Sequence, residues 1–148
     1  MNDAREAPSI EVALPSIDDS KPDEEGGPVA RNGFNYQDEI AVGFSIHMLQ
    51  SPSVLKVHCE THDDIVVIRQ GSDTTLRAAE YIQVKASEQD KLWSVADLCQ
   101  RKKTKIGTSI FESSLGRDKH AEVSSFRLVT LRPVVGALKP LTYELGAA

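Results

Sequence analysis

The stretch that most constrains this chain is Glu60–Lys85. Two runs within it, Ile65–Arg69 and Glu80–Val84, are rich in β-branched and aromatic residues, and the Gln70-Gly71-Ser72-Asp73-Thr74-Thr75 segment between them has turn composition. A hairpin folded about the middle of that turn pairs residues whose numbers share a constant sum and sets Asp64 opposite Gln83. Lys85 lies two residues beyond Gln83 and therefore projects from the same sheet face. Cross-strand partners have Cβ atoms about 5 Å apart, so a carboxylate, an amide and an ammonium gather in one patch. Such a patch can hold a hard cation through oxygen ligands and set a positive charge beside a phosphate. A bulge in the turn would shift the pairing by one residue.

Around this hairpin the pattern alternates between helix and strand. Tyr36, Ile40, Phe44 and Met48 recur at four-residue spacing and predict a helix with Asn35 as N-cap, stopped at Ser51-Pro52. Gln37 and Glu39 flank that stripe, so either can face the sheet beneath; the plainer reading is two solvated first-turn residues. Val54–Cys59 alternates as a first strand. Glu60, Asp63 and Asp64 crowd the junction that follows, and three such carboxylates repel one another unless they are solvated or share a cation. Trp93–Lys103 predicts a second helix, with Ser94 as N-cap and Val95, Leu98 and Cys99 as its stripe. It ends in the bases Arg101, Lys102, Lys103 and Lys105, which suit either a solvated helix end or contact with phosphates. Thr108–Leu115 predicts a further helical piece closed by Gly116. Ser125–Leu131 predicts the last strand, stopped by Arg132-Pro133, and the remainder to Ala148 is too weakly patterned for an assignment. The order implies an α/β fold, a mixed sheet with helices on its faces.

An acid opening one strand, followed by an acid-x-Lys on the next, with Gln83 here at the acid position, resembles the signature of the PD-(D/E)xK, restriction-endonuclease-like nucleases. Three motifs carry the resemblance further: Arg31-Asn32-Gly33-Phe34-Asn35-Tyr36-Gln37-Asp38-Glu39, then Glu60-x-x-Asp63-Asp64, then Gln83-Val84-Lys85. In this order, over about Gly27 to Pro133, they resemble the nuclease domain of the CD-NTase-associated double-stranded DNA endonucleases, effectors of bacterial anti-phage signalling. The resemblance implies an αβββαβ core and Mg²⁺-dependent phosphodiester hydrolysis, with Mn²⁺ able to substitute. It implies Asp64, the Gln83 side-chain oxygen and the Val84 carbonyl as metal ligands, with Glu60 or Glu39 reaching in from the side. Lys85 would act on the attacking water, and Gln37 belongs to the same catalytic group. Gln83 stands where the family often has Asp or Glu. A neutral amide ligates Mg²⁺ more weakly, which points to one metal and millimolar dependence.

Composition bears on the partner. The net charge is −5, but residues 1–28 hold eight acids against two bases, leaving 14 acids and 15 bases in the rest. A near-neutral body with a clustered basic run is compatible with double-stranded DNA. The 1–28 stretch, with Pro8, Pro15, Pro22 and Pro28 and its surplus of acids, is expected to be a flexible tail, although Ile10–Leu14 could add an edge strand. The nuclease domain is then 29–148. Cys59 and Cys99 show neither CxxC nor His spacing, which argues against zinc and against a disulfide framework. With no long apolar run and no signal-peptide core, a soluble cytoplasmic protein is expected. The resembled effectors carry a cyclic-oligonucleotide sensor for which this length leaves no room, and they assemble, so a homo-oligomer is an open expectation. Two other classes stay open: a degenerate nuclease fold that binds nucleic acid or protein without cutting, and a protein-interaction domain docking through its acidic tail.

Overall fold

The computed structural model describes residues 14–20, 35–71, 75–85 and 91–142. Its frame is a four-stranded mixed sheet in the order β1 (Val54–Cys59), β2 (Ile65–Gln70), β3 (Arg77–Lys85), β4 (Val123–Thr130). β1, β2 and β3 are antiparallel neighbours, and β4 runs parallel to β3. The helix α1 (Asn35–Gln50) precedes the sheet, and the short helices α2 (Val95–Cys99) and α3 (Ile110–Leu115) lie in the crossover to β4. This is the expected α/β architecture and element order.

Ile65, Val66, Val67 and Ile68 are all fully buried. β2 is thus covered on both faces, which is why it reads as a continuous apolar run rather than an alternation. On one face Val54, Ile65, Val67, Ile82, Val84 and Val129 receive Tyr36, Ile40, Phe44 and Met48 of α1. Each such buried aliphatic side chain contributes about 1.5–3 kcal/mol. α1 itself begins at Asn35, which is a helical residue rather than the N-cap expected of it.

The other face holds Val66, Ile68, Ala79 and Tyr81, joined by Ile17. Here the expectation of a flexible tail is corrected for residues 14–20, the part of 1–28 that is described. Within it Ile17–Asp19 forms a 3-10 turn with Ile17 1% exposed. The reason is satisfaction of polar groups around one apolar plug. Glu122 accepts hydrogen bonds from Ser16 Oγ (2.8 Å) and Ile17 N (3.2 Å), and Ala121 N donates to Pro15 O. Asp18 bridges Lys56 and Arg77, each at 2.8 Å. Hydrogen bonds from Lys56 and Arg77 hold its carboxyl down at about 2. The candidate edge strand Ile10–Leu14 lies largely outside the described residues.

Three further expectations change. The helix foreseen over Trp93–Lys103 is only Val95–Cys99: Ser94 and Asp97 form a capping box, and Gln100 is already extended at ψ 117°. The last strand starts at Val123 and ends at Thr130, because its parallel partner β3 extends its pairing from Ala78–Val123 to Lys85–Thr130. Finally, Gly136–Leu141 forms a 3-10 helix in the segment left unassigned, with Leu138 buried. It follows the bridge from Trp93 to Val134, where buried Arg132 packs over the Trp93 ring at 4.3 Å and donates to Leu92 O.

The docked turn makes a prediction. Ile17→Ala should cost about 2–4 kcal/mol, as for other buried large-to-small changes, whereas Asp18→Asn should cost well under half of that because its partners are partly solvated. Urea denaturation of the two variants measures both, and equal losses would assign the turn's hold to its ion pairs instead.

Candidate active site

The β2–β3 register decides which side chains meet. Ile65 pairs with Ile82, and the pairing continues without a shift to Gln70–Arg77, the constant sum expected from the sequence. Continued by one residue, it places Asp64 opposite Gln83. The Val84 N–H donates to Asp64 Oδ2 at 2.7 Å, so the carboxylate is pinned to the main chain of β3 where the ladder ends. Gln83 and Lys85 alternate with Val84 and share the opposite sheet face from it. Gln83 Oε1 is buried and has no hydrogen-bond partner among the described residues. A buried amide oxygen left in this state costs about 1–3 kcal/mol unless something else accepts its lone pairs.

The main chain of Asp64 is held as firmly as its carboxylate. Its carbonyl accepts from Glu60 N at 3.0 Å and from Gln37 Nε2 at 3.5 Å. Gln37 is 7% exposed, so it faces the sheet from the first turn of α1, where the plainer reading had it solvated. Glu39 is exposed and lies about 200° around the helix from Gln37. It is therefore not brought to the Asp64–Gln83 patch. Glu60 is exposed too, and adopts φ 54°, a left-handed conformation that closes the turn through its N–H.

Asp63 parts company with its neighbour. It is buried and does not share the patch. Its Oδ1 accepts from Arg117 Nη2 at 3.1 Å and from Asp64 N at 3.0 Å, while Arg117 Nε donates to His62 O at 2.8 Å. Burial pushes the Asp63 carboxyl up to about 6 in spite of Arg117 and, further off, Lys85. Arg117 and its clasp on this turn had no sequence signal, since 54 residues separate the partners. Among the described residues, no three His, Cys, Asp or Glu side chains form a metal-ligating group. Of the ligands expected from the sequence, the continued register brings together Asp64 and Gln83, and Asp64 is the one carboxylate of that pair.

The basic run is a turn rather than a helix end. Lys103 and Thr104 adopt φ 49° and 60°, and Thr108 Oγ1 fastens the loop by accepting from Lys102 N at 2.9 Å and donating to Lys105 O at 2.6 Å. Lys102, Lys103 and Lys105 are exposed. Arg101 is not available in the same way, because Glu112 accepts from its Nε at 2.8 Å and from its Nη2. Glu112 also accepts from Ser109 Oγ in the capping box of α3. The Arg101 and Ser109 bonds hold its carboxyl down at about 2.

With this geometry, comparison with known proteins decides the family. The model of the Cap4 double-stranded DNA endonuclease domain matches residues 25–147. The chain belongs to that family. The match spans all three motifs on which the resemblance rested. The chain is also 28% identical over 128 residues to anti-bacteriophage protein A of Escherichia coli strain K12, covering 82% of this chain. The chain spans only 22% of the length of that curated relative. No solved structure matches this chain. Among the described residues, no helix is long and apolar enough to cross a membrane.

The Asp63 environment sets a pH dependence. Its folded value lies above the unfolded 3.8, so the fold favours the protonated form. That contribution is complete below about pH 4 and is lost as pH rises through about 6. Relative to Asp63→Asn, the wild type should lose on the order of 2–3 kcal/mol over that interval and then level off. Melting temperatures of both proteins at pH 4, 5, 6 and 7 check the sign.

Proposed function

We propose that this endonuclease domain hydrolyses phosphodiester bonds of double-stranded DNA with the help of Mg²⁺, and that its role is defence against bacteriophage. The observation that carries the chemical reading is the buried Gln83 Oε1, without a hydrogen-bond partner among the described residues, at the position opposite Asp64 when the β2–β3 register is continued by one residue, with Lys85 on the same face as Gln83. A buried oxygen with no donor among the described residues, across the register from a carboxylate, suits a hard cation. Asp64 and Gln83 would hold the ion with the Val84 carbonyl, and Glu60 would approach only through movement of its exposed side chain. When bound, such an ion stabilises the charge that develops on the phosphate. Lys85 orients the attacking water and offsets phosphate charge on its own account. Gln37 acts one step back, by fixing the Asp64 main chain from α1. With one carboxylate in the set, a single metal and millimolar dependence are expected, and Mn²⁺ serves in place of Mg²⁺.

The biological role is supported by the name of the curated relative, an anti-bacteriophage protein. Because the chain spans about a fifth of that relative, the proposal covers a nuclease portion, which a sensor of cyclic oligonucleotides elsewhere in a longer protein would control. Assembly of several copies belongs to the same proposal.

Plasmid cleavage with and without Mg²⁺ tests the reading. Lys85→Ala and Asp64→Asn should each lower cleavage by at least a hundredfold with melting temperatures close to wild type, and Asp63→Asn should lower it far less. Cleavage that survives EDTA, or wild-type activity in Lys85→Ala, would sink the assignment.

Contact with DNA is assigned to Lys102, Lys103 and Lys105, and to Arg101 only at the expense of its pair with Glu112. Replacing the three lysines with alanine should weaken binding and flatten the log–log salt slope by about 0.9 for each phosphate no longer neutralised, without changing sequence preference. Arg101→Ala should change the slope less than any one lysine. Fluorescence anisotropy over a salt series would show this, and an unchanged slope in the triple variant would leave the loop a solvated surface.

A further inference from the structure

The turn that carries Asp64 is built around a residue from far along the chain. Arg117 leaves α3 directly after the Gly116 cap, and its side chain is 12% exposed. Its Nε donates to His62 O at 2.8 Å and its Nη2 to Asp63 Oδ1 at 3.1 Å. The same Asp63 Oδ1 accepts the Asp64 N–H at 3.0 Å. One oxygen thus joins the guanidinium to the main chain of the proposed ligand. From the other side Glu60 N and Gln37 Nε2 hold the Asp64 carbonyl. With both ends of its peptide frame held, Asp64 has its carboxylate aimed at the Val84 N–H. The guanidinium fits this task because it is planar, permanently charged and forked, so it fixes a direction as well as supplying charge. Lys carries its three donors on one freely rotating nitrogen, so it supplies charge and hydrogen bonds without the rigid fork that fixes the direction of Asp63 relative to the His62 carbonyl.

We propose that Arg117 is a positioning residue of the active site, acting through Asp63 to aim the Asp64 carboxylate. The inference rests on the catalytic reading of Asp64 given above. Arg117 touches neither substrate nor cation itself. Groups of this kind, one bond removed from a ligand, typically change metal affinity by about 10–100-fold when mutated.

Two readouts separate this role from simple structural support. The first needs no metal: amide hydrogen exchange at Val84, whose N–H depends on where Asp64 points. In Arg117→Ala it should exchange at least tenfold faster, with the mid-sheet amides of Ile68 and Ala79 unchanged. The second is Mn²⁺ titration by calorimetry without DNA, in which Arg117→Ala should bind about 10–100-fold more weakly. Arg117→Lys should fall between the two in both measurements, and it replaces Arg117→Ala if that variant does not fold. The exposed neighbour variant Asp118→Ala should match wild type. Wild-type Val84 exchange in a folded Arg117 variant would overturn the proposal, as would faster exchange spread evenly over the sheet or unchanged Mn²⁺ affinity. If the wild type itself binds no Mn²⁺, the metal reading fails, and the Val84 exchange alone decides the role of Arg117.

Discussion

The Val84 N–H to Asp64 Oδ2 bond is the interaction on which the site depends. It lies where the β2–β3 ladder ends, so it needs the register to be right and it reports that register. A slip of one residue would swap the face of every side chain on β3, carrying Gln83 and Lys85 under α1 and exposing Ile82 and Val84. The slip is opposed by the whole of β2, whose four apolar residues are sealed on both faces. The energy that fixes the candidate site is therefore mostly hydrophobic and spread along the hairpin. The polar groups at its end only finish the aim.

The acids of this protein show how environment divides one residue type into different roles. Asp18 stays near the solvent rim between Lys56 and Arg77, and pairing dominates, so its carboxyl is held down at about 2. Asp63 has Arg117 at comparable distance, but burial outweighs the pair and lifts it to about 6. Adjacent Asp64 accepts a main-chain N–H and remains half-buried. Neighbouring carboxylates that would repel one another if they pointed the same way are instead separated, one turned into the body of the protein and one kept at the surface of the sheet.

What the sequence revealed was whatever depends on neighbours in the chain. The hairpin, its register and the helix stripe from Tyr36 to Met48 could all be read locally, because periodicity and turn composition act over a few residues. The parallel pairing of β4 with β3, the docking of Ile17 on the second sheet face and the Arg117 clasp could not. Each joins segments dozens of residues apart, and no spacing rule connects them. The expected second helix failed for a different reason: its apolar stripe continues only to Cys99, and the charged residues beyond it found better partners in Thr108 and Glu112 than in further helical turns.

The parallel ladder also bears on the order in which the protein assembles. β1, β2 and β3 are sequential and antiparallel, so they can form as a meander from short-range pairings, while β4 must first be carried across by the whole crossover that holds α2 and α3. Closing such a loop costs chain entropy before its non-local contacts can offset it. Until it closes, β3 has an open edge and Asp63 lacks Arg117, which arrives on the same crossover just ahead of β4. The meander would thus set Asp64, Gln83 and Lys85 near one another before Arg117 grips Asp63, and the frame of the candidate site would be complete only as β4 is laid against β3.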